Sequence, residues 1–279
     1  MLKVVIASLK GGTGKSSTTV NLGYALKRKG YKVGLLDVDC VAPTLTTALG
    51  LSKLPGWELN AAGDGGKGTV LPFEIDGIYA LTMASHYGET PAVLWDEETL
   101  IDAIRQLSTG LVQWPESLDY ILMDSPPSSS KFMQALFDYI PELHGVILVF
   151  QPTDMAAADL WRSLDFLKFK RVPILGLISN MAYALSPSGE KFWPFLSPKV
   201  DLREMCGKFG IPMLGEIPLT SDRKVIDQAF DQIAIGLDGV KPIILKEDIA
   251  KRLIRAGKKK LLKAAVRRQR PWLNKKNRQ

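Results

Sequence analysis

The residues best equipped for chemistry stand in one run near the start of the chain, Lys10-Gly11-Gly12-Thr13-Gly14-Lys15-Ser16-Ser17. A short apolar run, Val4-Val5-Ile6-Ala7, precedes it, and an apolar-periodic stretch (Val20, Leu22, Tyr24, Ala25, Leu26) follows. A buried strand therefore enters a glycine-rich turn and a helix leaves it. That layout cradles phosphate. Glycines at 11, 12 and 14 let backbone N–H groups turn inward with no Cβ in the way, and the helix start adds unpaired donors and the positive end of a dipole. Lys15 supplies a mobile cation for the β- and γ-phosphates, and the Ser16 hydroxyl is a natural Mg²⁺ ligand. Thr13 and Ser17 belong to the same cradle. The ordinary spacing has a glycine at position 9; here Leu9 stands there, and a second lysine, Lys10, comes before the glycines.

Carboxylates recur at the ends of two further apolar runs. Lys32 to Asp39 reads as a strand closing with Asp37 and Asp39, and in open parallel sheets the ligand crevice lies at the carboxyl ends of the strands. Their i, i+2 spacing points both the same way if the strand continues, so a bend is expected there. Leu118 to Asp124 is a second such strand, followed by Ser125-Pro126-Pro127. An acid at this place can hold Mg²⁺ through its water shell. Asn180, after the strand 172–179, carries an amide that offers both donor and acceptor to an adenine edge. Pro218, the last residue of the short strand 212–218, and the residues after it would cover the other side of the base.

These residues need a scaffold, and the chain supplies a βα rhythm. Residues 40–50 read as a short proline-started helix with a glycine stop, and 78–83 as a strand. Helices are expected over 97–107, 154–170 and 201–209, and a further strand over 145–150. Eight glycines and prolines between 55 and 77 predict a surface loop. The fold class is α/β, a doubly wound and mostly parallel sheet covered on both faces.

With 279 residues, 46% hydrophobic and 23% charged, the composition is that of a soluble globular protein. No apolar run reaches the roughly 18 residues of a membrane span. The first strand begins at once, which leaves no room for a signal peptide. Cys40 and Cys206 form no paired motif and suggest a reducing, cytoplasmic setting, while His86 and His144 are too isolated for a His/Cys metal site. The net charge of +7 is unevenly placed. Residues 246–279 carry 14 Lys/Arg against 2 Asp/Glu, so the rest of the chain sums to −5. The organisation expected is a nucleotide-binding domain over 1–245 and a basic helical tail over 246–279. Three readings of that tail compete: a helix docked on the body with a solvated face, an electrostatic grip on nucleic acid, and an interfacial helix on an anionic membrane. The last two would add nucleoid or membrane association to a cytoplasmic location.

The glycine loop resembles, residue for residue, the deviant Walker A loop of the MinD/ParA/Mrp class of P-loop ATPases. Residues 30–39, Ala42-Pro43-Thr44, Ala92 to Trp95, 118–127, 173–181 and 214–219 fall in the order of the Mrp family, over roughly residues 1–235. The resemblance implies that Asp37 and Asp39 hold Mg²⁺ through water and place the attacking water, Asp39 being the hydrolytic acid. It makes 40–50 the first switch and the strand ending at Asp124 the Walker B strand, leading to the second switch. It implies that Lys10 reaches a partner's phosphates, so that ATP clamps a homodimer which hydrolysis releases.

Two departures matter. The family's Cys-x-x-Cys, which bridges two subunits around a cluster, is replaced by Tyr183 to Glu190 without cysteine. Iron–sulfur clusters need thiolates, so no iron–sulfur cluster is expected. The family's Pro-Pro-Gly-Thr-Gly-Asp switch ends here in Lys131. The expected protein is a Mg²⁺-dependent ATPase with Lys10, Lys15 and Asp39 catalytic, and Ser16, Asp37 and Asp124 around the metal. It would serve either as an Mrp-like carrier or assembly factor or as a ParA/MinD-like positioning ATPase, with an unidentified protein partner. The alternative is a non-hydrolysing nucleotide sensor acting through the tail.

Overall fold

The computed structural model describes residues 1–8, 10–40, 42–53, 55–60, 68–87, 96–126, 131–153, 156–195 and 201–245. The basic tail, 246–279, lies outside them, as do the segments 61–67, 88–95 and 127–130.

The chain opens with β1 (Leu2–Ala7), α1 (Lys15–Arg28) and β2 (Val33–Asp37). A short α2 (Leu45–Ala48) leads to four strands, β3 (Glu58–Asn60), β4 (Thr69–Leu71), β5 (Phe73–Ile75) and β6 (Ile78–Thr82). Next come α3 (Ala84–Tyr87), α4 (Glu97–Thr109), β7 (Tyr120–Asp124), α5 (Lys131–Tyr139), β8 (Leu143–Phe150) and α6 (Ala156–Phe169). The chain closes with β9 (Ile174–Ser179), the pair β10 (Ala184–Leu185) and β11 (Lys191–Phe192), then α7 (Leu202–Phe209), β12 (Met213–Glu216) and α8 (Arg223–Leu237).

Eight strands form the main sheet in the order β12-β9-β8-β1-β7-β2-β6-β5. All neighbours run parallel except the edge strand β5, which pairs antiparallel with β6. The loop after β1 thus opens at the middle of the sheet, flanked by the ends of β7 and β8. That is where a doubly wound sheet leaves a crevice.

Strand periodicity sorts the core. Val4 and Ile6 of β1 pack with α1 and α8 on one face; Val5 and Ala7 pack with α4, α5 and α6 on the other. Each set is buried, so β1 reads as a continuous apolar run rather than an alternating one. On the first face Arg28 bonds Asp231 and Lys29 pairs with Asp238, tying α1 to α8. These pairs are partly exposed and each contributes about 0–1 kcal/mol. The apolar contact beneath them carries the stability.

One expectation needs correction. Residues 55–77 do not form only a loop: β3 and β4 make a small antiparallel pair, and β5 turns through Asp76-Gly77 onto β6. Their three-residue lengths and glycine-rich surroundings hide the strand signal. The short helix expected within 40–50 is present as Leu45–Ala48, after Pro43 and before the left-handed Gly50, with Thr44 at its N-cap. The sequence reading also left α5, α8 and the β10–β11 hairpin unassigned.

Candidate nucleotide site

The loop is built by backbone constraints. Lys10 donates its N–H to Ser8 Oγ at 3.2 Å, and that hydroxyl donates to the Lys10 carbonyl at 3.0 Å. This reciprocal pair pins the entry to the turn. At the exit Gly14 stands at the N-cap of α1 with φ +87°, a left-handed conformation that suits glycine. A Cβ there would also fall 2.2 Å from Asn180 Nδ2, so space and conformation exclude a larger residue together. Gly12 is likewise left-handed, at φ +75°.

Helix α1 begins without a side-chain cap and with no acid in its first turn. Its first N–H groups therefore face the loop without the partner that Ser, Thr, Asp or Asn usually supplies. An anion is the natural cap for such an end. Cβ atoms built on Gly11 and Gly12 would meet nothing within 4 Å, so the cradle is open on that side. Lys15 enters α1 at its first position and Ser16 follows, both half-buried, while Lys10 is exposed.

The three acids converge at the carboxyl ends of β2 and β7. Asp37 and Asp124 face each other in register across the two parallel strands, and both are buried. The chain bends after Asp37, as expected, and the bend is held by Asp37 itself. Its Oδ1 accepts from the Asp39 N–H at 3.0 Å, and its Oδ2 accepts from the Leu45 N–H at 3.0 Å. Thr82 Oγ1 adds a 3.4 Å bond to the same Oδ2. Burial first, and then the neighbouring Asp124, hold the Asp37 carboxyl well above the usual carboxylate range. Asp39 accepts from the Ala42 N–H at 3.1 Å, so the stretch from Ala42 to Leu45 hangs on both acids.

Asp124 differs. Its Oδ1 is buried and has no hydrogen-bond partner among the described residues. Burial pushes its carboxyl up to about 7; Asp39 adds to the rise, while the Ser16 hydroxyl and the Lys15 ammonium oppose it. An orphan buried carboxylate oxygen is costly, by about 1–3 kcal/mol or more. A cation with its water shell would relieve that cost. Among the described residues no cluster of three His, Cys, Asp or Glu side chains is arranged to hold a metal unaided. The donor set suits Mg²⁺, which binds through one or two protein oxygens together with phosphates and water.

The structure thus brings Lys15, Ser16, Asp37, Asp39 and Asp124 to one crevice, with Gly11 to Ser17 at its floor. Asn180 is placed there too, in an unanticipated contact: its Nδ2 donates to the Thr13 carbonyl at 2.8 Å. Pro218 is buried beyond β12. Thr44 was missed altogether as a contributor. Its hydroxyl lies 2.6 Å from that of Ser16, which ties the N-cap of α2 to the loop. Its place in Ala42-Pro43-Thr44, directly before a short helix, was the only signal. Lys131, the first residue of α5, pairs with Glu97 of α4 at 2.6 Å.

Residues 1–242 match the family described as ParA: NUBPL iron-transfer P-loop NTPase. The chain belongs to this family. An iron–sulfur cluster carrier protein of Methanocaldococcus jannaschii is 34% identical over 228 residues, covering 78% of this chain and 72% of that protein. An iron–sulfur cluster carrier protein of Aquifex aeolicus is 32% identical over 224 residues, covering 77% of this chain but 57% of that protein. The chain therefore spans little more than half the length of some relatives. Among solved structures, a nucleotide-binding protein from Archaeoglobus fulgidus in complex with ADP superposes with a TM-score of 0.65 at 27% identity, over 83% of this chain and 87% of that one. The septum site-determining protein MinD of Pyrococcus horikoshii, complexed with Mg-ADP, shares the fold at a TM-score of 0.59 and 21% identity, over 85% and 96% of the two chains. The family and the P-loop NTPase fold expected from the sequence are both borne out. Among the described residues no helix is long and apolar enough to cross a membrane.

Proposed function

We propose that this member of the family is a Mg²⁺-dependent ATPase that cycles between a monomer and an ATP-clamped homodimer. The observation that carries the reading is the uncapped, glycine-opened start of α1 beside an orphaned buried carboxylate oxygen on Asp124. One end of that crevice wants an anion and the other a cation, as a Mg²⁺–triphosphate supplies.

The residues then divide the work. The N–H groups of Gly11 to Ser17 and the Lys15 ammonium hold the phosphates and neutralise charge that builds on them in the transition state. Ser16 and Asp124 would hold Mg²⁺, Asp37 supporting them from the bend; the metal, when bound, would offset negative charge on the triphosphate. Asp39 orients the attacking water. Lys10, exposed at the loop's rim, neutralises the triphosphate bound by a second copy, since two facing triphosphates repel unless cations intervene. Asn180 and Pro218 flank the adenine, with the Asn180 amide also steadying Thr13.

The names of the relatives attach iron–sulfur clusters to the family. In this chain Cys40 and Cys206 are the only cysteines, and both are buried. Burial pushes both thiols up, Cys206 to about 11, the opposite of a ligating thiolate. The proposed role is therefore nucleotide-gated assembly or positioning of a protein partner without a cluster carried on paired cysteines. A nucleotide-sensing module that works through 246–279 is the second reading, favoured by the Lys131–Glu97 pair where the family has an acid.

Phosphate release and oligomer size measured together, with and without DNA, test the proposal. Turnover that Asp39→Ala abolishes while ATP binding persists supports the enzyme; tight ATP binding with no turnover in the unaltered chain supports the sensor. An ATP-induced dimer that survives Lys10→Ala removes the clamped pair.

A further inference from the structure

Thr44 stands where the chain turns into α2, and its hydroxyl does not take the partner that this position offers. A threonine at an N-cap usually accepts from an N–H of the first helical turn. Here no side-chain cap is made, and the backbone, at φ −122° and ψ −1°, lies off the extended conformation usual for an N-cap. The residue is exposed, yet its hydroxyl lies 2.6 Å from that of Ser16 instead of turning to the helix. The lone pairs that a cap would occupy are left to the nucleotide crevice.

The partner decides what this hydroxyl can do. Ser16 has one proton to give. Its hydroxyl favours the charged form of Asp124, as a donor to that carboxylate does. Thr44 is then the donor in its bond with Ser16, and its own lone pairs stay available. Oxygens from α1, β7 and the turn before α2 so meet at one place. Mg²⁺ takes oxygens at about 2.0–2.1 Å in octahedral geometry, which sets neighbouring ligands about 2.9 Å apart. Ser16 and Thr44 need to part by only about 0.3 Å to serve as such neighbours.

Thr44 is also held from behind. The Leu45 N–H donates to Asp37 Oδ2 at 3.0 Å, and the Ala48 N–H bonds the Thr44 carbonyl at 3.0 Å. A metal that engaged the Thr44 hydroxyl would therefore fasten the first turn of α2 to α1.

We propose that Thr44 is a further protein ligand of the Mg²⁺ ion, binding it directly through its hydroxyl beside Ser16 and coupling metal loading to α2. The inference rests on the Mg²⁺–nucleotide reading of the crevice and adds one ligand to it.

The full chain is titrated with a fluorescent ADP analogue, first in EDTA and then over a Mg²⁺ series. Thr44 is exposed and its side chain caps nothing, so Thr44→Val removes the hydroxyl without opening a buried contact. In EDTA this variant should bind the analogue as the unaltered chain does. The Mg²⁺ concentration at half-effect should rise by about tenfold or more, as loss of a group at a metal site costs. Thr44→Ser, which keeps the hydroxyl, should leave it in place. Thr44→Cys separates a ligand from a brace: it should behave as Thr44→Val with Mg²⁺ and recover with Cd²⁺, because sulfur favours soft metals. Thr44→Val should not recover with Cd²⁺. Hydrogen exchange gives a readout apart from affinity, since Mg²⁺ with ADP should slow exchange at the Ala48 and Leu49 N–H groups in the unaltered chain and not in Thr44→Val. A smaller rise in Thr44→Val, or no recovery of Thr44→Cys with Cd²⁺, overturns direct ligation; equal protection of α2 in Thr44→Val overturns the coupling. Mg²⁺ dependence that Ser16→Ala loses and Thr44→Val keeps overturns this inference alone. Affinity that ignores Mg²⁺ in the unaltered chain overturns the reading of the crevice, and this inference with it.

Discussion

The glycine loop at 10–17 and the hairpin at 184–192 both lie beyond the carboxyl ends of sheet strands, and they are held in opposite ways. In the loop, Ser8, Asn180 and two left-handed glycines fix the backbone, and the side chains beneath it are buried. The hairpin rests on two strands of two residues each, with Phe192 48% and Trp193 50% exposed. A Lys191 ammonium 4.2 Å from the Tyr183 ring centroid adds about 0.5–1 kcal/mol. The contrast teaches where this chain invests its constraints. Phosphate binding needs N–H groups held to within a fraction of an ångström, whereas the hairpin, which contains no cysteine, is held by few contacts of its own.

The contrast can be broken first at Gly14. Gly14→Ala puts a methyl against Asn180 Nδ2 at 2.2 Å in a left-handed conformation. Titration with a fluorescent ADP analogue should show a loss of about 100-fold or more, since such strain and displacement remove several N–H contacts at once. A loss below threefold would mean that the loop is not the rigid element.

Thiol chemistry sharpens the comparison next. A Cys206 thiol raised to about 11 from 9.0 is roughly 100-fold less ionised at pH 8 than an ordinary one. The folded chain should react with a disulfide reagent about 100-fold more slowly than the denatured chain. The sign follows from linkage: both states are neutral below about pH 9, so the stability is fully present there. It is lost as pH rises from about 9 to about 11, where the unfolded thiol ionises first. A chemical-denaturation series from pH 8 to 11 in which stability does not fall would contradict the burial of this group.

Asn180→Ala removes one buried bond to the loop. It should cost about 1 kcal/mol of stability in urea denaturation, and nucleotide affinity should fall by about fivefold to tenfold. The smallest effect is expected in the hairpin. Trp193→Ala should change stability by no more than about 0.5 kcal/mol and leave nucleotide affinity unaltered, as exposed substitutions usually do. A marked loss of affinity there would erase the distinction between the two regions.

Much of this was legible in the residues. The loop, the bend after Asp37 and the acid at Asp124 could be read because each depends on neighbours in sequence. The short strands β3 to β5 could not, since their pairing rather than their composition makes them strands. The helix α8 went unread because its apolar face is defined by packing against α1 and the sheet.

By itself, then, the sequence determined the phosphate cradle, the alternation of strands and helices, and the absence of a paired-cysteine motif. All three are properties of spacing along the backbone. Only the tertiary structure decided that Asp37 holds the N–H groups of Asp39 and Leu45 with its two oxygens while Asp124 keeps one without a partner among the described residues, that Thr44 reaches Ser16, and that Asn180 braces Thr13. Those outcomes rest on register between distant strands. Two carboxylates with similar neighbours in sequence acquire different roles according to which N–H groups the folded chain brings within 3 Å of each.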